Sequence, residues 1–380
     1  MRCPSPNRGL TLPSIDRRSL QNFDWLLLFL MLLLVGVGLV ILFSATQAGT
    51  EGGLPSEFRR QLVALALASI GLTAALLVDY RRTERLAIPF YLATLLLCAS
   101  TLVFAPVVRG SRSWLLWGPL SLQPAELAKV GLVLALARHF HRHPAGEIRR
   151  LRDLLVPGLI VAAPAGIIVA QGDMGVAVLT VLIAATYLPF VRIPIRAWAV
   201  VAAGGLVSLV GLWKFVFKDY QRERILQVLD PSRDPLASGY QAIQSKIAIG
   251  SGGLFGNPYM EGTQTQLQFL PTQHSDFIFS VLGEEWGFIG CVVVLGLYLA
   301  LLLWGLVIAS NSKDGFGAML AVGVVGMLFW PVAINVAMVL GLAPVIGVPL
   351  PLLSYGGSQL LANMIALGLL LNVSMRRYMF

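Results

Sequence analysis

The sequence predicts an all-α, polytopic integral membrane protein of about ten spanning helices, with a large extracytoplasmic loop between the seventh and the eighth. Three observations carry that fold class. Of 380 residues, 57% are hydrophobic and only 12% charged, whereas a soluble domain carries about 25% charge. Mean hydropathy is +0.77, and the apolar residues gather in runs close to the roughly 20 needed for a helix to cross a bilayer. The 38 glycines and 21 prolines suit transmembrane helices, where both are commoner than in soluble ones.

Taken in order, the runs are 25–43, 61–78, 86–104, 122–138, 154–170, 174–190, 198–217, 277–307, 317–341 and 359–373. The chain thus divides into a short cytoplasmic segment (1–24), the ten-helix membrane domain (25–373) and a cytoplasmic tail (374–380). The first run is long enough to span and no small-residue cleavage site follows it, so it reads as a helix rather than a signal peptide. An even number of spans puts both termini on one side. Lys and Arg choose that side, because short cytoplasmic connections carry the excess of positive charge. With the termini inside, the short inner connections hold Arg81, Arg82, Arg85, Arg138, Arg142, Arg149, Arg150 and Arg152, while the short outer ones hold Arg59, Arg60, Arg109 and Arg112. The formal charge of +9 is therefore a topology signal and not a nucleic-acid one.

Residues 218–275 stand apart. They are polar, glycine-punctuated and far longer than the connections usual in compact folds, so they read as an ordered outer cap. No internal repeat is visible, which argues against the commonest transporter folds. Cys98 and Cys291 lie in apolar runs and Cys3 near the start, which implies no disulfide framework.

Ionisable residues inside a span are costly and default to a functional reading. Glu126 and Lys129, three apart on one helix face, form either a buried polar site or an ion pair that fixes packing. Asp276 opens the eighth span, with Glu284 and Glu285 two turns further on. That span, about 46 Å long at 1.5 Å per residue, exceeds a hydrocarbon core of about 30 Å. It must tilt or project, and projection would set all three carboxylates at headgroup level. Asp276 could equally be a simple helix N-cap. Arg59-Arg60 and Arg109/Arg112 go against the charge rule; they suit phosphate recognition or headgroup snorkelling. Two glycine clusters, Gly250–Gly256 and Ser354-Tyr355-Gly356-Gly357-Ser358, could form anion-binding nests or merely turn the chain. Neither has nucleotide-loop spacing. His139, His141 and His143 alternate, but among arginines they make a poor metal site.

Longer motifs then point to a family. Leu229-Asp230-Pro231-Ser232-Arg233-Asp234-Pro235 precedes Gln244-Ser245-Lys246-Ile247-Ala248-Ile249-Gly250-Ser251-Gly252-Gly253. Gly262-Thr263-Gln264-Thr265-Gln266-Leu267, Asp276-Phe277-Ile278-Phe279 and Gly283-Glu284-Glu285-Trp286-Gly287 follow. With Gln123-Pro124-Ala125-Glu126-Leu127-Ala128-Lys129 and Pro349-Leu350-Pro351-Leu352-Leu353-Ser354-Tyr355-Gly356-Gly357-Ser358, the chain resembles the SEDS family (shape, elongation, division and sporulation) over about residues 20–375. It looks nearer to the rod-shape branch than to the division branch. Departures are Ser275, Ala125, Gln359 and Asn257-Pro258, the last in place of a Lys-Gly pair.

The resemblance implies a peptidoglycan glycosyltransferase that polymerises lipid II at the outer face of the bacterial cytoplasmic membrane during elongation. It would work with a class B penicillin-binding protein and other elongation-complex proteins, and not with nucleic acid. The family's essential aspartate falls on Asp276 and its buried pair on Glu126 and Lys129. The chemistry expected is one inverting displacement, with Asp276 as base and Lys129, Arg109 and Arg112 as candidates for the departing diphosphate. Glu284, Glu285, Ser354, Gly356, Gly357 and Ser358 are candidate supporting residues. No protein-held metal is expected, although Mg²⁺ or Mn²⁺ could serve the diphosphate. A lipid II flippase and a membrane scaffold are the rival readings.

Overall fold

The computed structural model describes residues 23–47, 53–78, 80–108, 110–118, 120–143, 151–190, 219–226 and 238–376, with scattered positions between 199 and 214. Most of segment 1–24 and the end of the tail 374–380 lie outside these residues, as does most of the expected seventh span, 198–217.

The helices are α1 (Trp25–Gln47), α2 (Ser56–Leu77), α3 (Tyr80–Phe104), α4 (Pro124–Arg142), α5 (Leu155–Ala170) and α6 (Met174–Ala185). After them come α7 (Asp219–Leu226), α8 (Ser238–Ser251), α9 (Thr263–Gln266), α10 (Ile278–Ser310), α11 (Gly315–Val339) and α12 (Gly357–Arg376). Six of these, α1, α2, α3, α10, α11 and α12, are long and apolar enough to cross a membrane, and α5 and α6 are shorter apolar helices. The chain is a multi-pass membrane protein of helical class.

The centre of the bundle is α4, α11 and α12. From Ala125 to Ala137 of α4, and from Ser358 to Met375 of α12, nearly every side chain is buried. Helix α2 packs along α12, and α3 and α11 pack on α4. Gly368 lets α12 meet α2 closely, since a Cβ there would lie 2.6 Å from the Leu72 carbonyl oxygen. Buried polar side chains close the helix ends. Asn372 Nδ2 donates to the carbonyls of Ala75, Leu76 and Val78 at 3.0, 2.9 and 2.7 Å, taking up the last carbonyls of α2 that no helical N–H can reach. Asp24 accepts from Trp304 Nε1 at 2.9 Å and from Ser374 Oγ at 2.8 Å, tying α1, α10 and α12 at that end.

Two features depart from the sequence reading. The expected fourth span begins not at 122 but at Pro124, because residues 115–122 form a small antiparallel hairpin, β1 (Leu115–Trp117) with β2 (Leu120–Leu122). Gly118, at φ 58° after β1, is the residue whose glycine identity could have signalled it. The eighth span neither tilts as one rod nor projects as one rod: α10 breaks at Gly287 (φ 64°, ψ −164°). The portion beyond the break, Phe288–Ser310, is about 34 Å long at 1.5 Å per residue, close to the hydrocarbon thickness. Cys98 and Cys291 are both buried and free.

Candidate functional site

The site lies at the end of the bundle where α10 and α12 begin. Three successive carbonyls before α10 are each taken by a donor from elsewhere in the chain. Tyr355 N–H donates to His274 O at 2.9 Å, Ser354 Oγ to Ser275 O at 2.6 Å, and Asn335 Nδ2 to Asp276 O at 2.7 Å. This turn has no sheet or helix ladder of its own, so the pinning replaces one. Ser354 Oγ also accepts from Leu350 N at 2.7 Å, Gln359 Nε2 donates to Pro349 O at 2.9 Å, and Asn335 Nδ2 reaches Val348 O at 2.7 Å. The half-buried Asp276 carboxylate faces Gly347: a Cβ built there would sit 3.5 Å from Asp276 Oδ2, and Gly347 has φ +72°. Asp276 is not the N-cap of α10; that position is Phe277, with no side-chain cap.

On the other flank of the same turn, Ser358 Oγ accepts from Gln123 N at 2.9 Å and donates to Ser121 O at 3.2 Å. This fixes the start of α4 and, one turn on, the Glu126–Lys129 pair. Lys129 Nζ lies 2.8 Å from Glu126 Oε1, with side chains 2% and 7% exposed. Asp173, in the turn between α5 and α6, belongs to the same cluster. It accepts from Gln123 Nε2 at 2.9 Å and caps α6 through Val176 N at 3.2 Å. Burial pushes the Asp173 carboxyl above the usual carboxylate range, the Val176 N–H opposes that, and the Glu126 charge adds to the rise.

With this geometry in place, comparison with known proteins decides the lineage. A family model described as cell cycle protein, spanning FtsW, RodA and SpoVE, matches residues 24–379. The chain belongs to the SEDS family. It is 37% identical over 356 residues to the peptidoglycan glycosyltransferase MrdB of Escherichia coli (strain K12), covering 93% of this chain and 94% of that protein. It is 33% identical to the peptidoglycan glycosyltransferase RodA of Treponema pallidum, over 95% and 99% of the two chains. A probable FtsW of Geobacter sp. (strain M18) matches at 35%, over 94% and 98%. Among solved structures, a chain from a peptidoglycan synthase complex that coordinates polymerization and crosslinking superposes with TM-score 0.79 at 39% identity, covering 94% of this chain and 99% of that one. The rod-shape-determining protein RodA of Thermus thermophilus gives TM-score 0.70 at 34%, over 94% and 98%.

In this SEDS protein the expected site residues fall into two groups. Asp276, Ser354, Gly356, Gly357 and Ser358 gather around one turn, with Glu126 and Lys129 beneath its far flank. Arg112 is exposed at the same end, its backbone N–H on Gln171 O at 2.9 Å and its guanidinium 3.4 Å from Leu102 O. Arg109 lies outside the described residues.

Glu284 and Glu285, expected to be open to a lipid headgroup, are instead buried in protein. Glu284 is fully buried and accepts from Gln264 N, Thr265 N and Thr265 Oγ1 at 2.8, 3.0 and 2.7 Å, which caps the short helix α9. Glu285 is buried against Ser44 Oγ of α1. Glu284 ties α9 to α10 and Glu285 ties α1 to α10, so neither is open to a lipid headgroup.

The first glycine cluster is likewise used for close packing rather than as an open nest. A Cβ at Gly252 would lie 2.0 Å from Gly283 O, and one at Gly256 2.1 Å from Glu285 O. Asn257 N donates to Glu284 O, Phe288 N to Gly253 O and Ile289 N to Leu254 O, at 2.9, 2.9 and 3.2 Å. The 250–256 loop thus fills the gap in the α10 ladder that the Gly287 break opens. In the second cluster, Gly356 N is met by Gln61 Oε1 at 3.2 Å.

Sequence reasoning passed over Asn335, Gln61 and Asp173. Each is a polar residue within or beside an apolar run, and that alone could have flagged it.

Proposed function

We infer that this chain is a peptidoglycan glycosyltransferase that polymerises lipid II into glycan strands, and that Asp276 is the base of the transfer. The observation that carries the reading is the pinned turn. Asp276 is anchored by its own carbonyl and both preceding ones, while the residue stays half-buried with its Oδ2 facing Gly347. An aspartate needed only to cap a helix would occupy the N-cap position, which here is Phe277.

In the proposed step the acceptor's 4-hydroxyl attacks the anomeric carbon of the growing chain. Its proton passes to the Asp276 carboxylate as the new C–O bond forms and the bond to the undecaprenyl diphosphate breaks. An α-linked donor giving a β-1,4 product requires this single inversion, and so a base but no protein nucleophile. Exposed Arg112 suits the departing diphosphate. Lys129 is sealed against Glu126, so it supports the floor of the site through α4 rather than meeting the lipid directly. The same sealing weighs against the flippase reading, since a pair 2% and 7% exposed that bonds to itself is a poor lining for a polar path. Among the described residues no three His, Cys, Asp or Glu side chains gather. A divalent cation would be held by Asp276 together with substrate and water oxygens, where it would neutralise diphosphate charge.

The loop-rich end is the outer face in this account, with both termini in the cytoplasm of a bacterial cell. The cap over residues 218–275 and the outer helix faces would meet a class B penicillin-binding protein of the elongation complex. The test is glycan length from purified protein and labelled lipid II, with Asp276→Asn alongside. Polymer from that variant at the wild-type rate would remove Asp276 as base.

A further inference from the structure

We propose that Asn335 is a positioning residue, which sets where the Asp276 carboxylate stands against Gly347 and through it the rate of transfer. The proposal rests on the polymerase reading above and deepens it. Asn335 lies in α11 and is fully buried (0% exposed). Its Nδ2 group donates to Asp276 O and to Val348 O, both at 2.7 Å. One amino group therefore holds both sides of the contact: the residue that bears the carboxylate, and the segment bearing the glycine that the carboxylate faces.

Neither side is rigid by itself. Residues 344–350 carry no helix or sheet ladder, and Gly347 sits at φ +72°, where glycine is permissive rather than restraining. The fold of these segments is secured elsewhere, by Ser354 on Ser275 and Leu350, Tyr355 on His274 and Gln359 on Pro349. Asn335 adds the bond at Asp276 itself. Its Oδ1 is buried and accepts no hydrogen bond from a described residue, so what the side chain contributes is its donor. A reacting pair tolerates little displacement: a misplacement of about 1 Å can cost about a hundredfold in rate.

The test compares wild type, Asp276→Asn, Asn335→Asp, Asn335→Leu and Asn335→Gln as purified full-length proteins on lipid II in detergent. It separates kcat from KM and records a melting temperature for each. Asn335→Asp and Asn335→Leu remove the amino donor at nearly constant volume, whereas Asn335→Gln keeps it on one more methylene. The expected result is a fall in kcat of about 30- to 100-fold for Asp and Leu with KM within about threefold. Asn335→Gln is expected to recover about tenfold of that loss. Activity within about twofold of wild type in Asn335→Leu would overturn the proposal. So would losses that follow melting temperature across the three variants with no recovery by Gln, since that pattern belongs to a packing residue. If Asn335→Leu does not fold, the Asp and Gln variants decide on the same criteria. No glycan from wild type itself would overturn the polymerase reading, and this proposal with it.

Discussion

The break in α10 gives the most quantitative test of the fold around the site. Gly287 has φ 64° and ψ −164°, a region essentially reserved for glycine. A β-carbon there costs about 1–3 kcal/mol in backbone strain. It would also lie 2.4 Å from Gly256 N and 2.7 Å from Leu254 C, so the loop must withdraw. Withdrawal gives up the three bonds from Asn257, Phe288 and Ile289, each worth about 0.5–1.5 kcal/mol net. Gly287→Ala is thus expected to destabilise by about 2.5–7.5 kcal/mol, and Gly256→Ala, at φ +85° and 2.1 Å from Glu285 O, by a comparable amount. The control is Gly250→Ala in α8, where nothing lies within 4 Å of the added carbon; it should be neutral or stabilising by up to about 1 kcal/mol. Thermal melts of purified protein give the ranking, with a drop of at least about 5 °C expected for the first two. Amide exchange should quicken at Asn257, Phe288 and Ile289. A Gly287→Ala protein that melts with wild type, or a Gly250→Ala protein that melts as low as the other two, would refute the reasoning.

Other expectations follow from the same contacts. Glu284→Ala leaves the amides of Gln264 and Thr265 and the Thr265 hydroxyl without their acceptor, at about 1–3 kcal/mol each where burial is retained; protease cleavage should appear near α9, and unchanged resistance there would contradict the capping role. Lys129→Met strands a buried carboxylate and should cost about 3–5 kcal/mol, much of it regained by adding Glu126→Gln. A double variant less stable than Lys129→Met would show that the pair is more than mutual compensation. Asp173 has a raised folded pKa, so its contribution is full below the unfolded value and is lost as pH rises through the folded one. Asp173→Asn keeps the cap through Oδ1 and meets Gln123 once that amide turns its Oε1 toward the new Nδ2; it should therefore melt above wild type at neutral pH. The gap should close as pH falls through the carboxylate range, and a gap independent of pH would contradict that.

The spanning helices were legible because burial in lipid demands long apolar runs, which α1, α2, α3, α10, α11 and α12 supply. The start of α4 was set two residues early by the apolar run from 122, although Pro124, whose missing N–H suits a first turn, marks it. The motifs Gly250–Gly256 and Gly283–Gly287 were visible as strings, but not that they mate. A glycine needed because another backbone passes within van der Waals distance leaves the same local signal as a glycine in a turn. The packing roles of Glu284 and Glu285 were hidden for a related reason: their partners, Gln264 and Thr265 of α9 and Ser44 of α1, lie in other elements of the chain. Asn335 was missed because its partners, the Asp276 and Val348 carbonyls, are main-chain atoms that every residue possesses.

The central claim is that this SEDS protein polymerises lipid II with Asp276 in the chemistry. The most direct measurement is glycan length after purified protein meets labelled lipid II in detergent, with and without its transpeptidase partner, beside Asp276→Asn matched for melting temperature. Long glycan is expected from wild type and none from the variant. Equal glycan from both would contradict the role of Asp276, and none from wild type under every partner and cation condition would turn the account toward transport or scaffolding.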